Sequence, residues 1–353
     1  MAKLNEGDVM EGIFAIGLCL YIAYGKIDKR QLNKLRAKIE PAMFSTGKFS
    51  VKIVKNLQRQ HGKKPPDVFN VNLSVRLKPA SVTGAFGKDL SMLLKTCSDI
   101  GNIDKKIDAL IKSTETSSWA GNIKSTIDKF LNNNVGEIIT FECIADGIAG
   151  ETSGGKIKSD VDLNIYASKA GGTRKPVLKH VIPFSLKSES VTVANMSPYN
   201  GMKDIAEAFD LKWKKVEKYK KLGETARTPA EKKYKFALIE TMYAELSKLI
   251  FASKSTINDK AYDFLFAAIF GSDLANVVDI QRKKVKEITV HHFNFLRKHV
   301  ILDVQLSGAY IKFLNKQDRS TIFLLRTKLR PPPAANGSGE AKFYLEVGQG
   351  IYG

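Results

Sequence analysis

The sequence predicts an α/β protein, with strands and helices interspersed and a C-terminal region rich in strands. Three observations carry that expectation. Apolar and polar residues alternate at the two-residue period of a strand in 67–78, 137–145, 158–165 and 182–187. Helical spacing of apolar residues occupies 5–25, 28–40, 88–132 and 202–286. Beyond Glu287 come short apolar runs at 300–306, 310–314, 321–329 and 342–347.

The first helix contains the apolar run Ile13-Phe-Ala-Ile-Gly-Leu-Cys-Leu-Tyr-Ile-Ala-Tyr24. It is shorter than the roughly 20 residues that span a bilayer. Glu6, Asp8 and Glu11 precede it, where a signal peptide wants positive charge, so it is expected to be a buried helix. The second helix is expected to begin near Asp28 and to end at the Glu40-Pro41 step. In 67–78, Phe69, Val71, Leu73, Val75 and Leu77 alternate with Asn70, Asn72, Ser74 and Arg76, the pattern of a half-buried strand. Residues 88–132 return to helix, with a break near 117–121. The stretch 137–189 is strand-rich. The helical stretch that follows contains Thr228-Pro229, a cap with proline at the first helical position. The run Pro331-Pro-Pro-Ala-Ala-Asn-Gly-Ser-Gly339 reads as a loop between the last two strands. Four regions result: 1–135, mostly helical with one strand; 136–200, a strand-rich core; 201–286, basic and helical; and 287–353, rich in strands.

Charge narrows the partner. Lys and Arg number 56 against 36 Asp and Glu, a net charge of +20 that suits a polyanion through phosphate neutralisation and counterion release. Nucleic acid is the natural choice, and no membrane anchor is expected. The three cysteines, Cys19, Cys97 and Cys143, are scattered. They point to no disulfide frame or zinc site, and to a reducing, cytoplasmic setting.

The most informative feature is a pair of short strands. In Lys158-Ser-Asp-Val-Asp-Leu-Asn-Ile165, Val161, Leu163 and Ile165 share one face and Asp160, Asp162 and Asn164 the other. In Ile182-Pro-Phe-Ser-Leu-Lys187, Ser185 and Lys187 lie opposite Ile182, Phe184 and Leu186. Pairing the two sets a carboxylate beside a lysine, equipment for holding a divalent metal and an attacking water against a phosphate.

The order of strand, Gly/Ser-rich turn, Asp strand, short loop through Gly171-Gly172 and Ser-Leu-Lys strand resembles the core of the PD-(D/E)XK nuclease superfamily. That superfamily includes restriction enzymes, phage endonucleases and junction resolvases. The likeness rests on Lys158-Ser159-Asp160-Val161 and Phe184-Ser185-Leu186-Lys187-Ser188, and covers residues 137–190. It implies a restriction-endonuclease-like mixed sheet flanked by helices. It also implies that Asp160 is the central metal-ligating carboxylate, that the Leu186 carbonyl is a further ligand, and that Lys187 orients the attacking water or stabilises developing charge. Ser185 stands where the family usually has an acid, which leaves the site one carboxylate short. Asp162 and Glu189, or Glu6 or Glu11 from the first helix, are the acids that would complete it. The implied cofactor is Mg²⁺, with Mn²⁺ as substitute. The implied activity is a DNA endonuclease, restriction-like or phage-encoded and then acting in the host cytoplasm, and two-strand cleavage suits a homodimer. Two rivals stand beside it: a non-catalytic DNA-binding or virion-associated protein keeping a degenerate nuclease fold, and a junction resolvase.

Other signals carry less. Gly150-Glu-Thr-Ser-Gly-Gly-Lys156 fits a phosphate-binding loop until Ile157, which replaces the Ser/Thr that would hold Mg²⁺; a turn is expected, with Lys156 and Lys158 beside DNA. The run 212–221 holds six lysines and two aromatics. It reads as a helix burying Trp213 and Val216, with Lys212, Lys214, Lys215 and Lys218 on the DNA backbone. The basic runs 59–64 and 282–284 extend that track. His291-His292 is expected on a strand in a structural role. Arg326, Lys328 and Arg330 alternate onto one face of a late strand, either a DNA-contacting edge or a solvated sheet face.

Overall fold

The computed structural model describes residues 6–46, 49–61, 64–76, 103–116, 118–146, 159–169, 175–187, 192–196, 198–211, 219, 228–252, 257, 259–270, 276–281, 283–307, 310–330 and 340–352. The protein is a mixed α/β chain with one mixed sheet and one antiparallel sheet. It divides into two compact units: Met1–Ser190 with Ser272–Val290, and Val191–Gly271 with His291–Gly353.

The first unit is built on a seven-stranded sheet in the order β1-β2-β3-β4-β5-β7-β8. Its strands are β1 (Phe49–His61), β2 (Lys64–Arg76), β3 (Glu137–Asp146), β4 (Val161–Lys169), β5 (Val177–Lys187), β7 (Asn276–Ile280) and β8 (Val285–Ile288). β2 pairs in parallel with β3, and β5 with β7; the other neighbours are antiparallel. Alternation puts Val71, Leu73, Phe141, Cys143, Leu163, Ile165 and Phe184 on one buried face.

Helix α1 (Glu6–Tyr24) lies in that core, as its apolar run requires; Ile13, Phe14, Leu18 and Leu20 are all buried. The Phe14 ring sits 5.3 Å from that of Phe184 and 5.5 Å from Trp119 of α4 (Ser118–Asn133). Gly17 lets α1 approach its neighbours: a Cβ there would come within 3.1 Å of Ile27 and 3.3 Å of Leu110 on α3 (Ile103–Thr116). Among the described residues no helix is long and apolar enough to cross a membrane.

Asp28 caps α2 (Lys29–Thr46), its carboxylate accepting the Gln31 N–H at 2.8 Å. The helix does not stop at Pro41, as expected, but runs through it. Proline deletes one intrahelical donor without forbidding the next turn, which Ala42–Thr46 complete. β1 was not visible in the sequence because register shifts between Lys52 and Val54, and between Val54 and Leu57, break its alternation. Asn276–Ile280 and the start of Val285–Ile288 correct a second expectation: they form strands rather than the end of the helical stretch 202–286. Val277, Val278, Asp279 and Ile280 are all buried, and a strand covered on both faces lacks the alternation that marks a half-exposed one.

The second unit carries an antiparallel five-stranded sheet, β6-β12-β11-β10-β9. It comprises β6 (Thr192–Met196), β9 (Leu302–Ser307), β10 (Tyr310–Asn315), β11 (Thr321–Arg330) and β12 (Glu340–Val347). The late strands thus fall where the apolar runs placed them. Its helices are α5 (Pro198–Ala208), α6 (Pro229–Ala252), α7 (Asp259–Phe270) and α8 (Val290–His299). Phe266 of α7 meets Phe323 edge-on at 5.0 Å, and Phe209 lies 5.6 Å from Phe313. Thr228 caps α6 as its sequence implied. The Glu231 N–H donates to Thr228 Oγ1 at 3.2 Å, while the Thr228 N–H donates to the Glu231 carboxylate at 3.1 Å. His291 and His292 lie on α8 and not on a strand. Leu296 and Val300 are buried four apart, and Arg297, Lys298 and His299 suit the negative end of the helix.

Candidate active site

The site grows from the place where β4 begins beside the end of β5. Val161 pairs with Phe184, and both are buried in the core. Ser185 and Lys187 therefore emerge on the opposite face of β5. Asp160 precedes the first residue of β4, and its N–H donates to the Phe184 carbonyl at 2.8 Å. β4 pairing goes no further, which would leave the Leu186 N–H without a ladder acceptor. The Asp160 carboxylate takes its place: Oδ2 accepts the Leu186 N–H at 2.6 Å and the Ser185 hydroxyl at 3.1 Å.

Backbone groups of one residue leave a strand on one edge, so the Leu186 carbonyl opens toward Asp160 beyond the end of β4. Burial pushes the Asp160 carboxyl above the usual range. The Lys187 charge, the Leu186 N–H and the Ser185 hydroxyl pull it back in part. Asp160, Ser185, Leu186 and Lys187 are thus one constellation, assembled from two strands.

The remaining expected residues are placed differently. Asp162 lies opposite Pro183 on β5 and Ile144 on β3, one pleat period further from Lys187 than Asp160 is. Glu11 stands one helical turn before Phe14, the residue whose ring rests on Phe184. Glu189, Lys156, Lys158, Lys212, Lys214, Lys215, Lys218 and the phosphate-loop-like run lie outside the described residues, as does the side chain of Glu6. Arg326 belongs to the second unit. Its guanidinium is paired with Glu346 and stacks 5.6 Å from the Tyr344 ring and 5.9 Å from the Tyr310 ring. The hydrogen bond to Glu346 raises its proton affinity further. Lys328 is placed by its backbone, opposite Lys342.

One residue at this site escaped sequence reasoning. Asp279 of β7 is the register partner of Lys187, and Lys286 of β8 faces it from the other side. Val278 and Ile280 point into the core, so Asp279 shares the face of Ser185 and Lys187. It is fully buried, and Oδ2 accepts a hydrogen bond from Gln281 Nε2 at 2.7 Å. Burial and the charge of Lys284 pull the Lys286 ammonium below its usual range, with Asp279 acting in the other direction. Because 202–286 reads as helix, nothing in the local pattern sets Asp279 beside Lys187.

The donor set can be tested against a metal. Among the described residues no three His, Cys, Asp or Glu side chains form a metal-binding group. Among the described residues, the Asp160 end of the site offers one carboxylate, one main-chain carbonyl and one hydroxyl, with the buried Asp279 carboxylate on the far side of Lys187. All are hard oxygen donors, which suit Mg²⁺ or Mn²⁺; Mg²⁺ needs only one or two carboxylates because it keeps several waters and takes phosphate oxygens. In donor type the residues fit. No family model, curated protein or solved structure matches this chain.

Proposed function

We propose that the protein is a Mg²⁺-dependent DNA endonuclease with a PD-(D/E)XK-like site, phage-encoded or restriction-like. The observation that carries this reading is the Asp160–Ser185–Leu186–Lys187 constellation at the β4–β5 junction. The net charge of +20 supports a polyanionic substrate.

On this reading Asp160 and the Leu186 carbonyl hold the metal, with Mn²⁺ as substitute. The bound ion neutralises phosphate charge and lowers the pKa of its water. Ser185 and the Leu186 N–H orient the Asp160 carboxylate. The Lys187 ammonium, beside that carboxylate, holds the attacking water in line and stabilises negative charge developing on the phosphoryl oxygens. Cleavage of both strands by a homodimer brings two such sites to one DNA.

The test is cleavage of supercoiled, linear and branched DNA in Mg²⁺ or EDTA, with Asp160→Ala and Lys187→Ala in parallel. Each substitution is expected to lower the rate by about a hundredfold or more, with EDTA abolishing it. Cleavage that survives both substitutions overturns the site. Preference for branched DNA identifies a junction resolvase. One observation favours a non-cleaving DNA-binding protein instead: the Ser185 hydroxyl, in the place of an acid, donates to Asp160. DNA binding without metal-dependent cleavage on any substrate selects that reading.

A further inference from the structure

We propose that Asp279 is a positioning residue for Lys187, holding the lysine ammonium on the Asp160 face. The inference rests on the nuclease reading for its purpose, but on the fold for its geometry. β7 docks in parallel on the final residues of β5, with Ser185 beside Val277 and Lys187 beside Asp279. Val278 and Ile280 anchor β7 in the core, so Asp279 has no freedom to leave the face it shares with Lys187. The carboxylate is fully excluded from solvent, and a charge in that position needs compensating cations and donors. Gln281 Nε2 donates to it at 2.7 Å, and lysines occupy the facing register positions of both neighbouring strands, Lys187 and Lys286.

The result is a row across β5, β7 and β8 in which the sign of the charge alternates, Lys187, Asp279, Lys286, while Asp160, just ahead of β4, acts on Lys187 from the other edge of β5. Lys187 thus lies between Asp160, which precedes β4, and Asp279 of β7. A long, flexible ammonium facing Asp160 alone could follow it in many rotamers. A second, immobile carboxylate on the other side restricts that choice, which is what a group aligning a nucleophile requires. The competing assignment gives Asp279 to Lys286 and Gln281 only.

The experiment reads the lysine side chain directly. In uniformly ¹³C-labelled protein, the two Cε protons of a fixed lysine resonate apart, and those of a freely rotating one coincide. Lys187→Arg and Lys286→Arg assign the signals. The Lys187 pair is expected to be split in the native protein, to merge in Asp279→Asn, and to stay split in Asp279→Glu. An unchanged Lys187 pair in Asp279→Asn, with only Lys286 altered, overturns the proposal. If Asp279→Asn does not fold, the Asp279 ¹³Cγ resonance in Lys187→Met carries the same test: a shift supports the contact and no shift overturns it.

None of these readouts requires DNA cleavage, so an inactive protein would refute the nuclease reading and leave this one to be decided separately. Where cleavage is found, Asp279→Asn is expected to lower kcat by about tenfold or more with KM for DNA nearly unchanged, and Asp279→Glu to recover most of the loss. A change confined to KM would also overturn the assignment.

Discussion

Asp160 holds its negative charge against burial, and the balance sets a pH dependence. Its folded-state pKa lies above the ordinary carboxylate value, so between the unfolded and folded values the native protein binds more protons than the unfolded chain. Stability from this residue is therefore fully present below the unfolded pKa and is lost as pH rises through the folded one. Asp160→Asn keeps acceptors for the Leu186 N–H and the Ser185 hydroxyl but removes the charge. It is expected to unfold at higher urea than the native protein at neutral pH, with the advantage vanishing in acid. Lys187→Met should deepen the effect by removing the largest opposing influence, moving the Asp160 titration, read by ¹³C NMR, further upward. Cys143 makes a second residue-scale test. Burial first, and the adjoining Cys19 thiol second, push its proton affinity well up. Mass spectrometry should find Cys143 unlabelled by iodoacetamide in the native protein at pH 8 and labelled after unfolding.

At the scale of elements, α1 and the two ends of the second unit carry distinct loads. Phe14 is fully buried and joins the Phe184 and Trp119 rings, so Phe14→Ala should cost about 3–5 kcal/mol in a urea titration. Since Phe184 precedes Ser185, the proposed cleavage activity should, if present, also fall before the protein unfolds. Thr228→Ala removes half of a reciprocal cap on α6 and is expected to cost about 0.5–2 kcal/mol. Gly348 follows β12 where the chain presses on β11. A Cβ there would lie 2.0 Å from the Thr321 carbonyl oxygen, so Gly348→Ala should destabilise the second unit far more than an exposed substitution does.

The whole molecule interleaves its two units along the chain. β7 and β8 of the first unit are reached only after the chain has traversed Val191–Gly271 of the second. A protein ended after residue 270 would lose Val278 and Ile280 from the core around α1, along with Asp279 from the site. Its Trp119 fluorescence and near-ultraviolet circular dichroism should show a loosened first unit. A protein ended after residue 290 keeps every strand of the seven-stranded sheet and should retain the native Trp119 signal. If both truncations behave alike, β7 and β8 are not needed to complete that core.

Local patterns were enough to find β2 to β5, the buried character of α1, the helix starts at Asp28 and Thr228, and the shared polar faces of Asp160 with Asp162 and of Ser185 with Lys187. Each of those features is written within a few neighbouring residues, and an alternating strand announces which face each side chain takes. The bulged β1 and the fully buried β7 were hidden because a register shift or two-sided burial erases that alternation. The sequence by itself determined that a carboxylate and a lysine occur on the polar faces of two alternating segments in a strongly basic chain. Only the tertiary structure decided that the Leu186 N–H and the Ser185 hydroxyl hold Asp160, that Asp162 stands a step away, and that Asp279 flanks Lys187. The reason is physical: which strand docks on the last residues of β5 is set by burial of the whole core, a long-range choice that no local pattern encodes.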